Sequence, residues 1–546
     1  MSRIEVHVDR RLIGLSVLLG VAFAAATVSL AFVFGHGPFW DAMPTDAAAA
    51  EIGWFYYARD AWRFPLFAIG NYHLPEGTNL LLSGALPLFA PFVKLAYQAI
   101  SPSTSPPPIY MGVWVATCFA LQVVAASRLL RAIGIRTILP HLCGLVLLCY
   151  LPMLFLRFGH QTLLAHFFLL AALEGYVLAK RGELTRNHGI VLCALPVLAL
   201  LVQPYLVAMC GPLVLVTILD QWRDDKMDLR AVSWRIGGMV AAASLVMWIS
   251  GFSVGATHDY GDYGQYSLNL LSPVVPFPDT LAGRWFGTTY PSIPGIWQWE
   301  GGCYLGAGGL LLCIAALPAL RNWRAGLRRH ASLIVLLAAM LLFAVSHRVG
   351  FGSHELLHVP LPDWLVGALS TFRGSGRFVW LPVYALLAAA LVAVVRRYRA
   401  RTASFVLIAA AVLQFADVLP MQHAVRVATA SPTAPTIDRS AWWGLVTEHT
   451  RVFQYPSFEC GGLFGGDVPG TRWRELEIDW IVAELGRPIN SAYLARSDKD
   501  CGAEREQAAR DTACPACCTC TAAPKTSAPS LQGMASTCAA AGTWTM

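Results

Sequence analysis

Charge is what this 546-residue sequence has least of. Asp, Glu, Lys and Arg together make up 13% of it, against 56% hydrophobic residues. A water-soluble domain carries about a quarter charged residues. A chain so short of them cannot cover itself with a polar surface, and its mean hydropathy of +0.53 agrees. A soluble globular protein is excluded, and an integral membrane protein is indicated by apolar runs long enough to cross a bilayer one by one. Other absences narrow the chemistry. There is no phosphate-binding P-loop and no Rossmann fingerprint, so no nucleotide cofactor is required. No nucleic-acid-binding motif and no internal repeat is visible.

The formal net charge of +7 does not argue for nucleic acid or another anionic partner, because of where the basic residues fall. About half lie in short links between apolar runs: Arg128, Arg131 and Arg136; Lys180, Arg181 and Arg186; Arg223, Lys226, Arg230 and Arg235; Arg321, Arg324, Arg328 and Arg329; Arg396, Arg397, Arg399 and Arg401. Such clustering is the positive-inside signal and sets topology.

Of the fourteen cysteines, seven (Cys118 to Cys313) lie in or beside apolar runs and read as small buried hydrophobes. The rest begin at Cys460. None has zinc-ligand spacing, and Cys514, Cys517, Cys518 and Cys520 lack partner histidines. Cys460 and Cys501 are candidates for a disulfide in an oxidising compartment.

The first uncharged run, Leu12 to Phe34, is too long for a cleaved signal peptide and reads as a retained span with a cytoplasmic amino terminus. Leu80 to Ile100 is broken by Pro87, Pro91 and Lys94, and is expected to be interfacial or re-entrant. Further spans are expected at Ile109–Ser127, Ile138–Leu156, Gln161–Ala179, Ile190–Gln203, Pro204–Leu219, Ile236–Gly255, Cys303–Leu320, Ala331–Ser346, Val379–Val395 and Ala403–Pro420. The run from Ile190 to Leu219 is divided at Gln203-Pro204-Tyr205, because proline breaks a helix there and the division returns the basic ends to one side. The fold class is thus all-α and polytopic, with about 11 transmembrane helices in residues 1–420 and a large first outer loop at 35–108. A small extracytoplasmic domain at 421–503 and a disordered tail at 504–546, rich in Ala, Thr, Cys, Pro and Ser, complete the chain. The carboxyl terminus then lies outside.

With that topology the informative polar residues gather at the outer helix ends. Asp41, Asp46, Glu51 and Asp60 lie among Trp40, Trp54, Phe55, Tyr56, Tyr57 and Trp62 in the first outer loop, an aromatic interleaving typical of the lipid–water boundary. Arg157 and His160 occupy a tight outer turn, and Gln203 and Tyr205 the outer hinge. The second loop brings His258, Asp259, Asp262 and Tyr266, then Glu300. The third brings Arg373 and Arg377, whose RGSGR spacing suits either a shared helical face or a backbone wrapped round an anion. Acids, a histidine and paired arginines on one face can bind a phosphate and move a proton. Blander roles compete: a helix cap for Asp46, an interfacial anchor for Arg157, a structural salt bridge for the arginines.

These stretches, above all PTDAAAAEIGWFYYARDAWRFPL, YHLPEGTNLLLSGALPLFAPFVK, LRFGHQTLLAHFFLLAALEGY, WEGGCYLGAGGLLL and FRGSGRFVWLPVYALL, resemble the polytopic membrane glycosyltransferases of the GT-C superfamily. More narrowly they resemble a bacterial integral-membrane family of that architecture, over roughly Leu12 to Asp500. The resemblance implies transfer of a sugar from a polyprenyl-phosphate donor to a glycan, lipid or protein acceptor on the outer face of the bacterial inner membrane. Asp46 takes the role of base or acceptor-positioning acid, with Asp41 and Asp60 as alternatives. Arg373 and Arg377, with Arg157, take the carrier phosphate, and a divalent metal is compatible but not demanded. An acid expected near Ser83-Gly84 is missing. The tail after about Glu504 resembles nothing in the family, as a reading-frame shift or a divergent terminus would produce. Other readings are a transporter or flippase for lipid-linked glycans and a non-catalytic envelope-assembly protein. A transporter should carry polar groups in mid-membrane and paired halves, whereas here Glu174 and Asp417 sit near span ends.

Overall fold

The computed structural model describes residues 3–36, 38–41, 46–100, 106, 109–252, 263–322, 324–431, 435–463, 471–497, 499–511, 517–521 and 538–540. Six helices among them are long and apolar enough to cross a membrane: Tyr110–Ala132, Gln161–Arg181, Pro204–Arg223, Leu229–Ser250, Ser375–Arg397 and Ala400–Ala430. Shorter apolar helices lie at Ile13–Thr27, Ile138–Cys149, Arg186–Leu200, Ala307–Ala319 and Ala331–Val345.

Close backbone approach explains how the first helices meet. A Cβ on Gly20 would strike Ala120 O and one on Gly112 would strike Phe32 O, so small residues let the helix Arg3–Thr27 and the short helix Leu30–Val33 lie against Ile109–Ala132. The first apolar run is not one helix. It stops at Thr27 and resumes as Leu30–Val33, capped by Ser29. Ser29 Oγ donates to Thr429 O, and its amide is bonded to Thr429 Oγ1 at 3.1 Å.

The run from Ile190 to Leu219 divides into helices Arg186–Leu200 and Pro204–Arg223, with Pro204 at the first helical position where its missing N–H costs nothing. The segment after Leu80 forms one 3-10 turn, Leu80–Leu82, and the helix Ala90–Ile100, which leaves Phe92, Leu95 and Ile100 exposed. The last apolar helix does not end at Pro420 as expected but runs on to Ala430. Its extra turns are held by Gln422, which donates to Thr27 Oγ1 at 3.0 Å, and Arg426, which donates to Ala25 O at 2.8 Å. Both charges noted near span ends are paired: Glu174 takes Arg128 Nε at 2.8 Å, and Asp417 accepts the amides of Ala282 and Ala307 at 2.9 Å each.

The basic links meet at one end of the bundle. Lys180 Nζ lies 2.7 Å from Asp220 and 3.3 Å from Asp224. Arg181 donates to Ala132 O at 2.8 Å and Arg329 to Lys180 O at 3.0 Å.

Beyond the helices, Arg439–Thr447 and Thr471–Glu484 form a small domain packed on the helix Asp46–Arg59, with Phe55 edge-on to Trp480 at 4.9 Å. The strand Arg451–Tyr455 pairs in parallel with Cys517–Thr521, which pairs antiparallel with Cys538–Ala540. The helix Cys501–Asp511 runs through the boundary at 504 where an unstructured tail was expected. It is tied down by the disulfide Cys460–Cys501 and by the Glu504 carboxylate, which accepts the Ser457 amide at 2.8 Å and lies 3.4 Å from Lys499 Nζ.

Candidate functional site

A cavity of about 690 Å³ lies at the ends of the helices opposite the basic links, where the first loop, the 157–163 turn, the 203–205 hinge and the 371–377 turns converge. Its walls are partly apolar (Leu81, Leu82, Leu163, Val207, Phe252, Phe372) and partly polar (His160, Gln203, Tyr205, Arg373, Arg377, Arg496).

Beneath one wall sits a buried carboxylate with two guanidinium partners. Glu300, in the 3-10 turn Gln298–Gly301, accepts from Arg377 Nη2 at 3.0 Å and Nε at 3.3 Å, both on Oε2. Arg157 Nη1 bonds to the same oxygen, and its Nη2 lies 3.3 Å from Glu300 O. His160 Nε2 stands 4.0 Å from the other oxygen. Burial alone would push the Glu300 carboxyl up; Arg157 first, then Arg377 and His160, hold it well below the usual range. It is therefore ionised, and the trio carries one net positive charge. Arg157 is 1% exposed and does not reach the cavity wall. It bonds Glu300, which also holds Arg377.

The local sequence explains the fit. A Cβ on Gly376 would strike Gly301 Cα, so glycine at both positions lets the Arg377 and Glu300 turns press together. Two amides of this stretch have partners within the fold: Gly376 N–H donates to Tyr266 O at 3.0 Å and Gly374 N–H to Tyr205 Oη at 2.8 Å. RGSGR is not a single helical face, because two separate 3-10 turns flank Arg373-Gly374. Arg373 follows the 3-10 turn Ser370–Phe372 and Arg377 lies within Ser375–Val379. Each guanidinium stands over a tyrosine ring, Arg373 over Tyr266 at 5.9 Å and Arg377 over Tyr205 at 4.7 Å. Gln203 donates to Thr162 Oγ1 at 3.2 Å.

Of the predicted residues, Arg157, His160, Gln203, Tyr205, Tyr266, Glu300, Arg373 and Arg377 thus come together. Asp60 does not join them. Its carboxylate accepts Arg63 Nε at 3.1 Å and the amides of Gly70 at 2.6 Å and Ala61 at 2.9 Å, so it holds a turn and has little capacity left for a reacting proton. Asp46 opens the helix Asp46–Arg59, whose first turns line the cavity through Ala47, Ala49 and Ala50. The side chains of Asp46 and Asp41, and all of His258, lie outside the described residues. No three His, Cys, Asp or Glu side chains group as metal ligands among the described residues.

Two features carried no warning in the sequence. Arg496, from a segment of mixed polarity without period, reaches the cavity. A second polar cluster joins the first loop to the C-terminal domain: His73 Nε2 lies 3.2 Å from Glu459, and Gln454 donates to the fully buried Asp479 at 2.6 Å. Burial lifts the Asp479 carboxyl well above its ordinary value, Gln454 opposing and Glu459 adding to the rise.

A model of the family described as a domain of unknown function, DUF6311, matches residues 17–419. The chain belongs to the DUF6311 family. A DUF6311 C-terminal domain model matches residues 441–516, which carries the family likeness past the Glu504 boundary to residue 516. No curated protein matches the DUF6311 chain. Solved structures of AglB, the archaeal oligosaccharyltransferase of Archaeoglobus fulgidus, are similar at low level. One, in complex with an inhibitory peptide and a dolichol-phosphate, aligns at a TM-score of 0.43 and 11% identity over 89% of this chain and 65% of that one. Another, with zinc and sulfate, aligns at 0.41 and 11% over 87% and 62%. A third, tethered to an acceptor peptide, aligns at 0.42 and 11% over 88% and 64%. This DUF6311 chain spans less than two thirds of the length of those chains, and TM-scores below 0.5 assign it no function.

Proposed function

We propose that this DUF6311 protein is a GT-C-like membrane glycosyltransferase with about eleven spans. It moves a sugar from a polyprenyl-phosphate donor to a glycan, lipid or protein acceptor on the outer face of a bacterial inner membrane. The observation that carries the reading is the cavity itself. Arginines held over tyrosine rings border it beside an apolar wall, and the helix opened by Asp46 closes another side. A prenyl phosphate needs both halves: an apolar surface for the lipid and guanidinium forks for the phosphate.

In this reading Arg373 and Arg377 face the phosphate oxygens and stabilise the charge that grows as the sugar–phosphate bond breaks. Asp46 takes the proton from the acceptor hydroxyl. Glu300 and Arg157 keep Arg377 in place, and no step passes through a metal. Support for an outer placement comes from the basic links, which meet at the far ends of the helices carrying Tyr205 and Arg377. The disulfide Cys460–Cys501 adds to it, since such bonds persist in oxidising compartments.

The test is transfer from a radiolabelled polyprenyl-phosphate sugar in proteoliposomes. Wild type should form a labelled product and Asp46→Asn, inserted to the same level, should form none. Undiminished transfer by Asp46→Asn removes Asp46 as the base. Absence of any transfer or hydrolysis by wild type across a panel of lipid-linked sugars removes the transferase.

A further inference from the structure

The cavity is not completed by the membrane helices. Tyr493, Leu494, Ala495 and Arg496 line it from a strap that belongs to the C-terminal domain. The strap is sewn to three other parts of the chain. Leu74 N–H donates to Ile489 O at 3.0 Å and Ile489 N–H to Asn71 O at 3.2 Å, while Ala495 N–H donates to Leu82 O at 2.7 Å. Arg496 Nη2 donates to Thr371 O at 2.9 Å, two residues before Arg373. Behind the strap, Cys501 is covalently fixed to Cys460.

Charge makes this arrangement informative. Arg373, Arg377 and Arg496 all border the cavity, and no Asp or Glu among the described residues lines it. The Glu300 carboxylate beneath is shared between Arg157 and Arg377. Guanidinium groups bordering a partly apolar space suit a ligand with an anionic head and an apolar tail. Arg496 spends one N–H on Thr371, and a guanidinium has five.

We propose that Arg496 is a third phosphate-binding arginine, delivered to the cavity by the C-terminal strap, so that the small domain is part of the substrate site rather than a cover over it. This rests on the lipid-phosphate reading above. It predicts that the strap discriminates charged from neutral prenyl ligands.

The experiment measures binding of farnesyl phosphate and of the neutral farnesol to the full-length protein in detergent. Wild type should prefer the phosphate. Arg496→Gln should weaken farnesyl phosphate by roughly tenfold, as expected for one charge-assisted contact, and leave farnesol unchanged. Arg496→Lys, which keeps charge but not the fork, should fall between the two. If R496Q binds the phosphate as wild type does, or loses both ligands in equal proportion, the inference is overturned and Arg496 only holds the strap. If R496Q is not recovered folded, R496K decides, an unchanged affinity overturning the proposal. A wild type that does not distinguish the two ligands removes the lipid-phosphate reading itself, an outcome separable from failure of Arg496 alone.

Discussion

Arg377 places both Nη2 and Nε on a single oxygen of Glu300, at 3.0 and 3.3 Å, and the buried Arg157 bonds that same oxygen through Nη1. One carboxylate is therefore shared by two guanidinium groups, and removing it leaves Arg157 charged and buried without that partner. Glu300→Gln is expected to destabilise the protein by about 3–5 kcal/mol, the range for breaking a buried pair. Thermal unfolding in detergent measures it. Adding Arg157→Met should recover part of the loss, because the two changes share one network and are not additive. A Glu300→Gln protein as stable as wild type would show that the trio contributes nothing to the fold.

Glu51 is an acid of another kind. It is fully buried on the helix Asp46–Arg59, and neither carboxylate oxygen has a hydrogen-bond partner among the described residues. Burial raises its carboxyl well above the ordinary 4.5. The folded state therefore holds a proton that the unfolded chain releases. The stability is fully present below pH 4.5 and falls as pH rises from there toward the raised value, by about 1.4 kcal/mol per pH unit. Glu51→Gln cannot ionise, so its advantage over wild type should grow from pH 5 to pH 8 in unfolding measurements. Parallel pH profiles for the two proteins would sink this account.

Much of the site was legible because polar residues at the same ends of successive apolar helices must meet. That logic gathers Arg157, Tyr205, Glu300 and Arg377 without knowledge of contacts. It does not say which partner consumes which group. Asp60 stood as an alternative to Asp46, yet Arg63 three residues on and the Gly70 amide occupy it. The helix past Pro420 was hidden for a similar reason. A proline removes one backbone bond, and tertiary bonds from Gln422 and Arg426 sustain the turns beyond it. Arg496 and the helix Cys501–Asp511 lie where the sequence has no apolar period, and long-range pairing and a disulfide hold them in place.

The Cys460–Cys501 bond closes a loop of 41 residues in sequence separation, which in the loop-entropy model stabilises by about 4 kcal/mol. The loop contains Thr471–Glu484, the helix that packs on Asp46–Arg59. Replacing both cysteines by serine should therefore loosen the C-terminal domain first. Limited proteolysis of purified protein should cut between residues 451 and 511 markedly faster in the variant. The membrane helices should resist in both. Equal cleavage rates would mean that packing alone holds the domain.

Sidedness can be tested on two exposed glutamates that the fold sets at opposite ends. Glu76 lies in the first loop beside His73, with a 54% exposed side chain, and Glu183 follows the basic link with 43%. Along the helix Pro204–Arg223, Tyr205 faces the cavity while Asp220 meets Lys180, roughly 22 Å apart at 1.5 Å per residue. The whole helix, 20 residues, is roughly 30 Å long at that rise, about the thickness of a bilayer core, so a spanning helix puts its two ends in different compartments. In a background with Cys514, Cys517, Cys518, Cys520 and Cys538 changed to serine, Glu76→Cys should react with a membrane-impermeant maleimide in intact spheroplasts. Glu183→Cys should react only after permeabilisation, because the basic links are retained inside. The reverse pattern would put the arginine-lined cavity in the cytoplasm, where a disulfide-tethered strap would not persist, and labelling of both from outside would mean that these helices do not span at all.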